Sequence, residues 1–355
     1  MTANVTDAAV LEALRSVKDP DLGRDIVALD FVKDLRVCDG NVAFAIELTT
    51  PACPVKDQMK AQAEQAVAAL PGVRKVSVTM TAKVTASRSL LGGKGLIPGV
   101  KNVLAVSSGK GGVGKSTVAV NLACALHRAG ARTGILDADV YGPNVPLMLG
   151  ARGQPEDVVV DGARYLVPLT AHGLQVMSIG VLIPEDQPVI WRGPRLHSAI
   201  RTFLFEVQWG DLDYLVVDLP PGTGDAQLSL TQQAHVAGAV IVTTPQTVSV
   251  LDVRRAIRMF QDVQVPILGV IENMAYFTPP GSSERIEIFG RGGGKRIEME
   301  FDVPLLGQIP IDPAVRAGGD SGEPIVLSRP DSEAARALIA AAGRIAARIS
   351  TVNAS

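Results

Sequence analysis

Nine residues, Gly109 to Thr117, restrict this chain more than any others: Gly-Lys-Gly-Gly-Val-Gly-Lys-Ser-Thr. They fit the pattern G-x-x-x-x-G-K-[ST] and stand between an apolar run, residues 102–108, and a helical stretch, residues 116–130. Gly109, Gly111, Gly112 and Gly114 let the backbone curl so that its N–H groups point inward. The following helix N-terminus adds donors, and together they cradle phosphate oxygens. Lys115 is placed to reach the β- and γ-phosphates, and Ser116 to offer its hydroxyl to Mg²⁺. The whole loop, Val113 and Thr117 included, is expected to hold a nucleotide.

A strand–loop–helix of this kind needs a parallel sheet to sit in, and the rest of the chain supplies one. Apolar runs at 133–139, 174–180, 213–220, 238–244 and 266–273 read as buried strands separated by helical stretches. The expectation is an α/β P-loop NTPase, its mostly parallel sheet covered by helices on both faces. A small α+β unit precedes it. Residues 10–17 and 55–70 are helical in pattern, residues 33–38, 41–48 and 73–82 alternate as strands, and Asp39-Gly40 marks a hairpin. Residues 1–85 are read as one domain, 86–100 as a linker or a loop within one larger domain, and 101–355 as the ATPase domain.

Strand ends supply the remaining candidates. Asp218 closes the run 214–218, where a Walker-B carboxylate orients hydrated Mg²⁺. Pro221 and Gly222 follow in a turn suited to sensing the γ-phosphate. Asp225 is either part of that switch or a helix N-cap. Asp139 is the candidate for positioning or deprotonating the attacking water. Asp137 either supports the loop or the metal shell, or is an ordinary strand-end cap. Lys110 is a second lysine in a loop that needs one, either plain solvent-exposed or functional.

Bulk properties narrow the partners. A net charge of −2 gives no basic field for nucleic acid. The first residues lack a secretory pattern, and no apolar run approaches a membrane span. Three scattered cysteines, Cys38, Cys53 and Cys124, suit a reducing compartment. The expected location is the cytoplasm, without membrane or nucleic-acid binding.

The stretch 110–117 resembles the deviant Walker-A signature of the MinD, ParA and nitrogenase iron protein family. That resemblance implies an ATP-stabilised homodimer in which Lys110 reaches the nucleotide of the partner subunit. Residues 97–117 and 191–225 resemble the Mrp/ApbC branch, and 48–57 the iron–sulfur assembly domain often fused to it. The resemblance implies an ATPase that binds iron–sulfur clusters and transfers them to apoproteins, alongside other assembly proteins. It also implies a nucleotide-base contact from Asn273, which can equally be a turn residue, and a base-side loop at 307–324.

Mrp proteins that carry a cluster place a C-x-x-C pair after the segment Glu272-Asn273-Met274. This chain reads Thr278-Pro279-Pro280-Gly281-Ser282-Ser283 there, and no cysteine follows Cys124. Hydroxyls are poor substitutes for thiolates at iron. Cys53, ahead of a helix and matching the assembly-domain cysteine, is either a reactive or cluster-ligating thiol or a half-buried loop residue. The alternative function is a metal-free regulatory or positioning ATPase resembling MinD or ParA that acts on a protein partner.

Overall fold

In the computed structural model the residues described are 5–20, 22–87, 95–182 and 193–354. Trp191 and Arg192 of the resemblance, and residues 88–94 of the expected linker, lie outside them. Residues 1–85 and 346–355 make one unit, and 86–345 the other.

In the smaller unit the elements run α1 (Asp7–Leu14), β1 (Val32–Cys38), β2 (Asn41–Leu48), α2 (Lys56–Ala68) and β3 (Lys75–Ala82). Thr6 caps α1 by accepting from the Ala9 N–H. Asp39 and Gly40 both take positive φ, 48° and 78°, the two-residue turn whose twist matches flanking strands. Cys38 therefore pairs with Asn41, and β1 lies antiparallel to β2. A crossover through α2 then makes β3 parallel to β2. Val10, Leu14, Phe44, Ile46, Met59, Ala63 and Val67 meet in its core.

The larger unit begins with β4 (Val103–Ser108), α3 (Lys115–Arg128), β5 (Thr133–Asp137) and α4 (Val145–Met148). A ribbon follows, β6 (Glu156–Val160) with β7 (Ala163–Val167), then β8 (Leu169–Ala171), β9 (Leu174–Ser178) and α5 (Gly193–Phe205). Next come β10 (Tyr214–Asp218), α6 (Asp225–Gln233), β11 (Gly238–Thr243), α7 (Thr247–Asp262) and β12 (Ile267–Glu272). The chain closes with α8 (Gly293–Phe301), β13 (Leu305–Gln308), α9 (Pro313–Ser321), α10 (Ile325–Ser328) and α11 (Glu333–Ala354). From Ala346 onward α11 belongs to the smaller unit.

The main sheet has the order β13-β12-β11-β4-β10-β5-β9-β8, parallel except for β8. Its central strands are buried along their whole length, as a sheet covered on both faces requires. One face packs Val103, Ala105, Leu215, Val217 and Ile241 against residues of α5, α6 and α7. The alternate residues Leu104, Val106 and Val216 are equally buried on the other face, where α3 lies. The α/β fold expected from the sequence is thus the fold observed. It adds β13 and the β6–β8 segment to the strands read from apolar runs.

The described part of 86–100 is packed rather than loose. Ile97 is buried, Gly95 bridges to Ala234, Val100 bridges to Leu212, and the Ser87 N–H donates to the Lys101 carbonyl. A loop inside the larger unit describes these residues better than a spacer.

Candidate functional site

The parallel order β4-β10-β5 brings three strand C-termini side by side, and these build the site. Asp218 ends β10 directly opposite Asp137 of β5, with β4 and its loop on the other flank. A cleft of about 370 Å³ opens there. It is lined by Lys110, Gly111, Gly112, Gly114, Lys115, Ser116, Thr117, Asp139, Tyr141, Asn144 and Pro221, among others. Such a position, outside the carboxyl ends of a parallel sheet, is where α/β proteins bind ligands.

The glycines have distinct reasons to be there. Gly112 and Gly114 both hold φ of 77°, which a side chain disfavours. A Cβ on Gly109 would stand 2.4 Å from the backbone carbon of Asp252, so α7 packs against the bare loop. Gly114 is also the N-cap of α3, and no side chain caps that helix. Its first N–H groups are left for a ligand.

At the floor, Lys115 is buried and joins the acidic groups. Its Nζ lies 2.7 Å from Asp218 Oδ1, 3.3 Å from Asp139 Oδ2 and 3.3 Å from Ser116 Oγ. Burial raises the pKa of Asp218, with Lys115 and the Ser116 hydroxyl pulling it back. Its second oxygen, Oδ2, is buried and has no partner among the described residues. An orphaned carboxylate oxygen beside a serine hydroxyl at the end of a phosphate loop fits Mg²⁺, a hard cation that takes oxygen ligands.

Asp137 does a different job. Its Oδ1 accepts the Asp139 N–H at 3.2 Å, and its Oδ2 accepts the Val145 N–H at 3.1 Å and the Ser178 hydroxyl at 3.0 Å. Burial, then the nearby Asp218 charge, raises its pKa. With all these bonds it shapes the loop that carries Asp139. Asp139 itself is fixed by the Tyr141 N–H at 3.2 Å and faces the cleft.

The turn after β10 is held by Gly222, whose N–H donates to the Ser108 carbonyl at 2.8 Å. Asp225 is exposed at the first helical position of α6, and the cap position belongs to Gly224, so a capping role for Asp225 is corrected. Asn273 is buried against the loop, next to Gly114. Its Nδ2 donates to the Val113 carbonyl at 2.9 Å. Of the base-side loop at 307–324, residues 313–321 form α9, capped by Asp312.

The cysteines do not converge. Cys124 is buried on α3, and burial pushes its pKa up to about 12. Cys38 is exposed, with its thiol 3.7 Å from Asp39 Oδ2, a partner the sequence did not suggest. Cys53 is half-buried ahead of α2, beside Asp19, Thr50 and Ser350. Among the described residues no group of three or more His, Cys, Asp or Glu side chains is arranged to hold a metal.

Residues 277–286 form a short hairpin instead of a ligand loop. Phe277 and Ile286 exchange both backbone hydrogen bonds, at 2.9 and 2.8 Å. The Pro280-Gly281 turn, with Gly281 at φ 76°, closes it. Glu333 ties it down by accepting from the Tyr276 hydroxyl at 2.9 Å, the Thr278 hydroxyl at 3.3 Å and Arg285 at 3.1 Å.

Sequence reasoning missed Ser178, Glu272 and Gln227. Glu272 is buried, accepting from the Gly294 N–H at 2.5 Å and the Gln308 amide at 2.7 Å. For Ser178 and Glu272 the available signal was a polar residue inside an apolar run; Gln227, on α6, gave none.

Comparison with known proteins agrees with this geometry. A family model described as NUBPL iron-transfer P-loop NTPase matches residues 99–346, and one described as iron–sulfur cluster assembly protein matches residues 7–80. An iron–sulfur cluster carrier protein of Synechocystis sp. is 52% identical over 348 residues, covering 98% of each chain. One of Deinococcus radiodurans is 50% identical over 342 residues, covering 96% of this chain and 95% of its own. Among solved structures, an ADP complex of a nucleotide-binding protein from Archaeoglobus fulgidus superimposes with a TM-score of 0.56 at 40% identity. That match covers 64% of this chain and 88% of the other.

Proposed function

We infer that this chain, which belongs to the NUBPL iron-transfer P-loop NTPase family, is a nucleotide-dependent carrier that binds iron–sulfur clusters and delivers them to apoproteins. The observation that carries the ATPase part is the floor of the cleft. Lys115 spans Asp218 and Asp139, with Asp218 Oδ2 left open beside Ser116. With nucleotide bound, Lys115 exchanges these carboxylates for the β- and γ-phosphates. Ser116 and Asp218 would hold Mg²⁺, which supplies charge neutralisation for the phosphates. Asp139, freed of the lysine, orients or deprotonates the attacking water. Lys110 at the cleft reaches the nucleotide of a second copy, so that two chains close face to face on ATP.

ATP turnover with and without Mg²⁺, and turnover and self-association of Lys110→Ala and Lys115→Ala, test this. Lys115→Ala is expected to lose nucleotide binding, and Lys110→Ala to keep binding but lose dimerisation and hydrolysis. Unchanged turnover in Lys110→Ala removes the role assigned across subunits.

The cluster is cargo, and the hairpin at 277–286 brings it no thiolate. We assign the chain's own contribution to Cys53, with the remaining ligands from a second copy or an assembly partner. Loss of iron and sulfide from anaerobically reconstituted protein on Cys53→Ser supports this. Retention of a full complement by that variant excludes it, and a wild type that never takes up iron favours a metal-free regulatory ATPase. No helix among the described residues is long and apolar enough to cross a membrane. We place the protein in the cytoplasm, where its three sparse cysteines stay reduced.

A further inference from the structure

Gln227 sits in the first turn of α6 and is fully buried. Its Nε2 donates to the Pro220 carbonyl at 2.6 Å and the Gly222 carbonyl at 2.9 Å. Both acceptors belong to the turn that follows Asp218, and Pro221 of that turn lines the nucleotide cleft. The turn has few other anchors. Pro220 and Pro221 carry no N–H, and the Gly222 N–H is spent on Ser108. Both hydrogens of one amide therefore hold the inner side of the turn.

The other half of that amide is idle. Gln227 Oε1 is buried and has no partner among the described residues, which costs about 1–3 kcal/mol for an unmade bond. Counting from the cap Gly224, Gln227 is the third helical residue of α6. From that position a Gln side chain can accept the N–H of the cap residue and close a capping box. Here this bond is not made, although a Cβ built on Gly224 would lie only 3.7 Å from Oε1. The first bond of the helix, Leu228 N–H to the Gly224 carbonyl, is stretched to 3.5 Å.

We propose that Gln227 is a positioning residue for ATP hydrolysis: its amide holds the Pro220–Gly222 turn, and Oε1 captures the Gly224 N–H when the γ-phosphate draws that turn toward the cleft. The open acceptor marks the resting arrangement, and the closed capping box marks the ATP-bound one. Gln227 itself touches no phosphate. It acts through Gly222 and through the start of α6. This rests on the ATPase reading given above.

The experiment pairs steady-state kinetics with hydrogen exchange on the full chain. In Gln227→Met, which keeps the length but neither donates nor accepts, kcat is expected to fall roughly tenfold or more while KM for ATP stays within about twofold. Exchange at residues 222–226 is expected to be slower in wild type with ATP than with ADP, and this difference is expected to vanish in Gln227→Met. Gln227→Glu retains an acceptor for Gly224 but sets a carboxylate against two carbonyls. It is expected to lose kcat as well, and it serves if the Met variant does not fold. A residue that only packed would lower the melting temperature and leave kcat, KM and the exchange difference alone. A kcat within about twofold of wild type in either folded variant overturns the proposal, as does equal exchange with ATP and ADP in wild type. If wild type turns over no ATP, the ATPase reading fails, and the exchange comparison with bound ATP still decides the part played by Gln227.

Discussion

Replacing Lys115 with methionine tests the reading of the cleft floor without any nucleotide present. In the structure this lysine is the cation for two carboxylates, at 2.7 Å from Asp218 and 3.3 Å from Asp139. The side-chain exposures are 6% for Lys115, 1% for Asp218 and 11% for Asp139, so solvent screens little of the interaction. Removing one partner of a buried pair leaves an uncompensated charge, at a cost of about 3–5 kcal/mol. For a unit of this size that corresponds to a fall in melting temperature of roughly 6–20 °C, at about 2–4 °C per kcal/mol. Asp218→Asn in the same background removes most of the stranded charge. The double variant is therefore expected to be more stable than Lys115→Met alone, with a coupling of about 0.5–3 kcal/mol. The assay is thermal unfolding of the nucleotide-free protein at neutral pH, followed by a probe in the larger unit. Strictly additive losses, or a Lys115→Met protein as stable as wild type, would refute the claim that Lys115 neutralises this floor. The same variant is expected to lose nucleotide binding.

Further outcomes follow from other contacts. Asp213 is buried, which pushes its pKa up, but hydrogen bonds from Lys101 at 2.8 Å and from the Arg132 N–H at 2.9 Å outweigh this and hold it below its usual value of 3.8. Its stabilising effect is then complete above that value and lost as pH falls through the lowered one, so Asp213→Asn should flatten the acid limb of a stability-against-pH curve and cost about 1–3 kcal/mol at neutral pH. Glu333→Ala should cost about 1–2 kcal/mol and speed exchange of the Phe277 and Ile286 amides, because the hairpin loses its anchor to Tyr276 and Thr278. The exposed Arg285 partner adds little to that sum. Gly109→Ala should abolish nucleotide binding measured by calorimetry, since its new methyl meets the α7 backbone at 2.4 Å.

What the sequence disclosed and what it hid divide along sequence distance. The phosphate loop is written in nine consecutive residues, so its strand, glycines, lysine and helix were all readable. The same holds for the Asp39-Gly40 hairpin and for the apolar runs that became β4, β5 and β9 to β12. β13 was not readable because four residues, Leu305–Gln308, one of them glycine, carry no usable period. The β6–β7 ribbon is largely exposed and lacks the inside-outside alternation that marks a half-buried strand. Side-chain work across the fold was also hidden. Asn273 holds a carbonyl 160 positions away, and Lys101 pairs with Asp213 112 positions away. Neither follows from local pattern. Asp137 was seen as a strand-end acid, but only the fold brings Ser178 and Val145 to it. The missing cysteine pair was legible, whereas the Glu333 anchor that gives the replacement hairpin its shape was not.

Cluster delivery is the activity on which the proposed function rests most directly. The measurement is transfer of iron and sulfide from anaerobically reconstituted protein to an apoprotein acceptor, followed spectroscopically with ATP and Mg²⁺, for wild type and Cys53→Ser. Wild type is expected to load and hand over a cluster in an ATP-responsive way, and Cys53→Ser to fail at loading while still hydrolysing ATP. A wild type that hydrolyses ATP but never holds iron, or a Cys53→Ser protein that carries as well as wild type, would contradict this.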